Sequence, residues 1–198
     1  MRHSPDYKRA TNAAYKILSR VQTLSISTNV FYIVEKLLKN CRLLTYCQAC
    51  FLYGFSMQRL HENSEYGFSI ISTSGKRIIL YNEEMPLGCI RFTIAHEIGH
   101  AALGHVDEND PVSEKEANCF ARNLLCPIPV AEALEAYTIE DYVALFSVTP
   151  SMAAITFNWR KSDKYYLDSE LASEIADMLR IYLMGFNSIA EYMRYTAS

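Results

Sequence analysis

Arg91-Phe-Thr-Ile-Ala-His-Glu-Ile-Gly-His100 is the stretch on which the reading of this chain turns. On a helix, residues four apart stand one above the other, so His96 and His100 would lie about 6 Å apart on one face. Two imidazoles placed that way can grip one Zn²⁺ at about 2.0–2.1 Å each. Glu97 would project about 100° further round, beside the ion rather than on it. There it can take a proton from a water that the metal acidifies. A chance occurrence on a solvated helix is the rival reading, since the five-residue pattern does arise at random. The apolar neighbours Phe92, Ile94, Ala95, Ile98 and Ala102 argue against it. They make the helix a buried one, where two histidines and a glutamate without a shared purpose would be costly.

A catalytic zinc usually takes a third protein ligand and leaves its fourth position for water. The extended pattern HExxHxxGxxH is absent: Leu103 and Val106 occupy its glycine and third histidine positions. His105 would project about 140° away from His100 on a continued helix and reads as a helix-end or loop histidine. The next candidates are Glu114 and Glu116 in Ser113-Glu-Lys-Glu-Ala-Asn118. Glu114 shares a helical stripe with Ala117, Asn118, Ala121 and Leu125, which suits a face pressed on the metal-bearing helix, whereas Glu116 points the other way. Glu114 is therefore the expected third ligand and Glu116 the alternative. Asn118, one turn on, is placed to orient a histidine through its second ring nitrogen, or simply to make a buried amide hydrogen bond.

Working outward, residues 5–22 and 28–39 read as helices, with Thr28 or Asn29 capping the second. Residues 42–46, 66–72 and 76–82 read as strands, the last two joined as a hairpin through Thr-Ser-Gly. A helix over 90–103 stops at Gly104, and a polar loop covers 107–111. The next helix, capped by Ser113 with Glu116 as capping-box partner, runs to Leu125 before Cys126-Pro127. Short helices follow at 129–136, 139–146 and 151–160. The tail from 168 to about 195 reads as one long amphipathic helix. This order predicts an α+β fold: a small, about three-stranded sheet against the HExxH helix, with helices elsewhere. Residues 1–165 would form the main domain, and 166–198 a helix packed on it or offered to a partner, including a second copy.

Composition narrows the classes further. The chain has 198 residues, net charge −3, fourteen tyrosines, and only seven glycines and six prolines. Nothing basic enough for general nucleic-acid binding is present. No apolar run is long enough to span a bilayer. The six cysteines are scattered, and a reducing cytoplasm with free thiols is the expected setting. Cys47-Gln-Ala-Cys50 could be half a zinc knuckle or a redox pair, but there is no second CxxC.

Arg91–His100, together with Glu114-Lys-Glu-Ala-Asn-Cys-Phe-Ala-Arg-Asn-Leu-Leu-Cys-Pro127, resembles the ImmA/IrrE metallopeptidases. Ile78–Asn82 and Leu145–Pro150 also fit, so the likeness spans roughly residues 25–160. Cys126 departs from it, standing where methionine is usual. The resemblance implies a zincin-like fold, one Zn²⁺ on His96, His100 and Glu114, and Glu97 as general base. It also implies a helix-turn-helix repressor of a mobile element, phage or stress operon as protein substrate. The strand 76–82 (Ile78, Leu80, Asn82) is a candidate edge for an extended substrate peptide, or merely completes the sheet. Two other functions compete. One is DNA reading by residues 139–160, for which the second helix offers a single base at its far end. The other is a catalytically silent, antitoxin-like partner that uses its zinc site to hold a repressor or a toxin.

Overall fold

A computed structural model of the chain describes residues 4–106 and 110–197. Part of the polar loop expected at 107–111 lies outside the described residues.

Helix α1 (Tyr7–Leu18) starts where the Asp6 carboxylate accepts the Arg9 N–H. Helix α2 (Val30–Tyr32) is capped by Asn29 and widens into a π turn over Ile33–Leu37. Thr28, the other proposed cap, instead donates its hydroxyl to the Leu124 carbonyl. Strand β1 (Cys41–Thr45) leads directly into α3 (Tyr46–Tyr53), and α4 (Met57–Asn63) follows. Neither helix is legible from periodicity because their apolar residues keep no single face: Phe51, Leu52 and Tyr53 are exposed. The signal that the sequence does hold is the Thr45–Gln48 capping box.

Strands β2 (Gly67–Ile71) and β3 (Arg77–Tyr81) form the expected antiparallel hairpin. β1 pairs with β3 in parallel, giving the order β1-β3-β2. This corrects one expectation: β3 is the middle strand, hydrogen-bonded on both sides, and offers no edge to a peptide. Its Ile78 and Leu80 face a small cluster with Leu44, Tyr46 and Leu60, away from the HExxH helix. Asn82 serves the chain itself, donating to the Glu65 carbonyl and accepting from the Glu84 N–H. Among the described residues, the outer strand nearest the HExxH helix is β2.

That helix is α5 (Leu87–Leu103), followed by α6 (Pro111–Leu125), α7 (Ile128–Ala133), α8 (Ile139–Phe146) and α9 (Pro150–Tyr166). The N-cap of α6 is Asp110, whose carboxylate accepts from the Val112 and Ser113 N–H groups, with Pro111 in the first turn. The expected Ser113/Glu116 capping box is not formed, because proline at the first helical position starts the helix earlier. The tail is two helices rather than one, α10 (Ser169–Leu183) and α11 (Ile189–Thr196). Gly185 breaks it at φ 94, and Ser188 caps the new start. Helix α10 buries Ile175 and Leu179 in the same core as Ala14, Tyr15, Ile94, Ile98, Phe120 and Leu124. Each such burial is worth about 1.5–3 kcal/mol. Among the described residues no helix is long and apolar enough to cross a membrane.

Candidate active site

Helix α5 carries His96 and His100 one turn apart, and Gly104 ends it in the left-handed region at φ 68. Because Asp110 and Pro111 start α6 early, Glu114 lies in its first turn, facing α5. The side chains of His96, His100 and Glu114 meet. Nε2 of His100 is 3.0 Å from Nε2 of His96 and 3.1 Å from Oε1 of Glu114, and the third side of the triangle is 3.4 Å. Among the described residues this is the group of histidine, cysteine and acidic side chains whose ligand atoms converge on one point. Cys47 and Cys50 belong to no such group.

The outer ring nitrogens decide what these atoms can do. Nδ1 of His96 is 3.2 Å from Oδ1 of Asn118, an acceptor, so Nδ1 carries the proton and Nε2 a lone pair. Nδ1 of His100 is 3.0 Å from Nδ1 of His105, whose Nε2 is 3.0 Å from the Glu116 carboxylate. With the neutral imidazoles protonated on these outer nitrogens, two lone pairs and a carboxylate oxygen converge, a donor set that suits a cation at its centre; without one, a proton on Nε2 of His96 bonds the Glu114 carboxylate in its place. A tetrahedral ion about 2.0–2.1 Å from each donor would space them about 3.3–3.4 Å apart, close to the triangle observed. The residues present fit a divalent metal.

The protonation balance follows the same logic. His100, 1% exposed at its side chain, is pushed down to about 4, first by burial and then by the neighbouring His96. Burial also opposes charge on His96, but the Glu114 hydrogen bond and carboxylate charge outweigh it and raise its pKa. Glu114, about two-fifths exposed, is lowered chiefly by its hydrogen bond to His96.

Glu97 is buried beside this triangle, and burial raises its pKa against the opposing pull of Ser69, His96 and Arg77. The Ser69 hydroxyl accepts from Nη1 of Arg77 at 2.6 Å and hydrogen-bonds the Glu97 carboxylate. Oε2 of Glu97 is buried and has no hydrogen-bond partner among the described residues. A carboxylate held at one end and unsatisfied at the other is equipped to accept a proton from a water beside it.

A cleft of about 770 Å³ opens over these groups. Gly67 and Phe68 of β2 and Tyr66 before it form part of its wall, and Met152, Ile155 and Trp159 of α9 another part. Gly67 is required where β2 crosses α5, since a Cβ there would lie 2.6 Å from Cγ2 of Thr93. Arg122 supports the α9 wall from beneath. Its guanidinium is paired with Asp163 at 2.5 and 2.7 Å and stacks 4.9 Å from the Trp159 ring. Ser69, Arg77, His105 and the α9 wall are not foreseen from sequence. No short motif marks them, because strand order and loop packing place them.

The family model described as Peptidase_M78, IrrE N-terminal-like domain, matches residues 56–158, just over half of the chain. The chain belongs to this family. No curated protein and no solved structure matches it. The IrrE-like span runs from α4 into the first half of α9 and contains the His96–His100–Glu114 triangle, Glu97, the β2 wall of the cleft, and Met152 and Ile155 of the α9 wall. It leaves out α1, β1 and α10.

Proposed function

We propose that this protein is a zinc-dependent endopeptidase that hydrolyses a peptide bond in a partner protein in the cytoplasm. His96, His100 and Glu114 would hold the ion, two neutral nitrogens and one carboxylate being a donor set that favours zinc. A bound ion would supply Lewis-acid activation of water and of the scissile carbonyl. Oε2 of Glu97 receives the proton of the attacking water and returns it to the departing amine nitrogen. Ser69, fixed by Arg77, keeps the other carboxylate oxygen occupied, so that Glu97 points one free lone-pair oxygen at the reaction. The cleft, with its apolar α9 wall and the outer strand β2, suits an extended segment of polypeptide. By resemblance, the partner class is a helix-turn-helix repressor.

The observation that carries this reading is the unsatisfied Glu97 oxygen beside three converging lone pairs. A site that only held a partner through its metal would have no use for it. DNA reading by 139–160 is disfavoured by the use made of its second helix. Ile155 and Trp159 line the cleft, Arg160 folds back over the Phe157 ring, and Lys164 pairs with Glu132.

The test is co-expression with the neighbouring gene's product as candidate repressor, comparing the wild type with Glu97→Gln. The wild type should carry one zinc and deplete the repressor; Glu97→Gln should keep the zinc and spare the repressor. Equal depletion by both would remove Glu97 as base, and a wild type without zinc would remove the metal reading.

A further inference from the structure

We infer that His105 and Glu116 are positioning residues for the metal, a buried carboxylate–imidazole pair that fixes which nitrogen of His100 bears its proton. This rests on the metal reading of the triangle. A carboxylate only accepts, so Nε2 of His105, 3.0 Å from Oε2 of Glu116, must carry a hydrogen. A neutral imidazole has one N–H, which leaves Nδ1 of His105 as an acceptor. Nδ1 of His100, 3.0 Å away, therefore donates to it, and Nε2 of His100 is left bare toward His96 and Glu114.

Both groups are locked into these roles. The side chains of His105 and Glu116 are each 7% exposed. The second oxygen of Glu116 is already engaged, accepting the Asp6 N–H at 2.8 Å, while Arg9 stands 3.6 Å from the first. His96 is backed by a neutral amide, whereas His100 is backed by a charge relayed through a ring, which strengthens it as a donor to a cation. Glu116, the sequence's alternative metal ligand, reaches the metal through two imidazoles instead.

The substitutions discriminate sharply. In Glu116→Gln the carboxamide would have one acceptor oxygen for two N–H groups. Satisfying Asp6 turns its amide N–H toward Nε2 of His105, shifts that ring's proton to Nδ1, and drives the His100 proton onto Nε2. His105→Leu removes the acceptor outright. His105→Asn places a carboxamide oxygen where Nδ1 stood and can accept the same N–H.

Zinc affinity of the full chain, measured by competition with a chromophoric chelator, should fall about 10–100-fold in Glu116→Gln and in His105→Leu. It should stay within a few-fold of wild type in His105→Asn. Wild-type affinity in both of the first two, or a loss in His105→Asn equal to that in His105→Leu, overturns the proposal. A wild type that binds no zinc overturns the metal reading beneath it, a separate result. Should a variant fail to fold, nitrogen-15 spectra of the zinc-loaded wild type decide: His105 should be the Nε2–H tautomer, and Nδ1–H would sink the inference.

Discussion

Gly99 and Ala117 meet backbone to backbone: a Cβ on residue 99 would lie 3.2 Å from both Cα and the carbonyl oxygen of Ala117. The same Cβ would stand 3.1 Å from the Phe120 ring. This contact brings the first turn of α6 close enough for Glu114 to reach the two histidines of α5. Glycine inside a helix costs about 1 kcal/mol relative to alanine, so Gly99→Ala offers that gain. Overpacking of a closed core costs about 1–3 kcal/mol, and here the obstacle is backbone, which cannot rotate away. Gly99→Ala should therefore lower the melting temperature and weaken zinc retention together. A variant as stable and as zinc-rich as the wild type would show that the helices tolerate separation.

Zinc binding should depend on pH through a single proton. The raised pKa of His96 means that, before zinc is added, His96 holds a proton below that value and sheds it above. The cation must displace this proton, so affinity is full above the His96 pKa and falls as pH drops through it. His100, at about 4, adds no competition until the solution is far more acidic. Calorimetry between about pH 5 and pH 8 should show one proton released per zinc at the acid end, the affinity falling about tenfold per pH unit. Release of two protons across that range would mean that both imidazoles titrate, contrary to the burial of His100.

Asp163 is 2% exposed at its side chain and neutralises Arg122. Removing one member of a buried ion pair strands the other, at about 3–5 kcal/mol. Asp163→Ala should cost that much in urea unfolding, while Arg122→Met with Asp163→Leu should recover most of it. The single variant should also loosen the Trp159 wall of the cleft. A loss below about 1 kcal/mol for the single change would contradict the pairing as a structural support.

Residues 56–158 alone should not fold, although they hold His96, Glu97, His100 and Glu114. They lack β1, which pairs along the whole of β3. They also lack Tyr15, fully buried and accepting the Ile128 N–H at 2.8 Å, and Asp6, whose N–H holds Glu116. Circular dichroism of the fragment should show no cooperative melt, and a sharp transition would refute this.

How much of this is legible in the sequence varies with the kind of signal. The meeting of His96, His100 and Glu114 can be anticipated because helical spacing fixes which residues share a face, and the 114-versus-116 choice depends on that alone. His105 defies the helical wheel for a definite reason. The wheel runs on past Gly104, but the left-handed residue turns the chain back, so that the His105 N–H reaches the His100 carbonyl and its ring slides beneath His100. The edge role expected of Ile78, Leu80 and Asn82 fails because a hairpin says nothing about a third strand. That β1 inserts beside β3 in parallel is decided by packing between segments far apart in the chain.

The carboxamide of Asn12 ties the start of the chain to its last third, donating to the Tyr166 carbonyl and accepting the Asp168 N–H. Helix α1 likewise packs on α5, α6, α9 and α10, all of them made later. During synthesis at about 5–20 residues per second, the apolar face of α1 stays without a partner for on the order of ten seconds. Until those helices are made, that face stays as exposed apolar surface of the kind that associates with other chains.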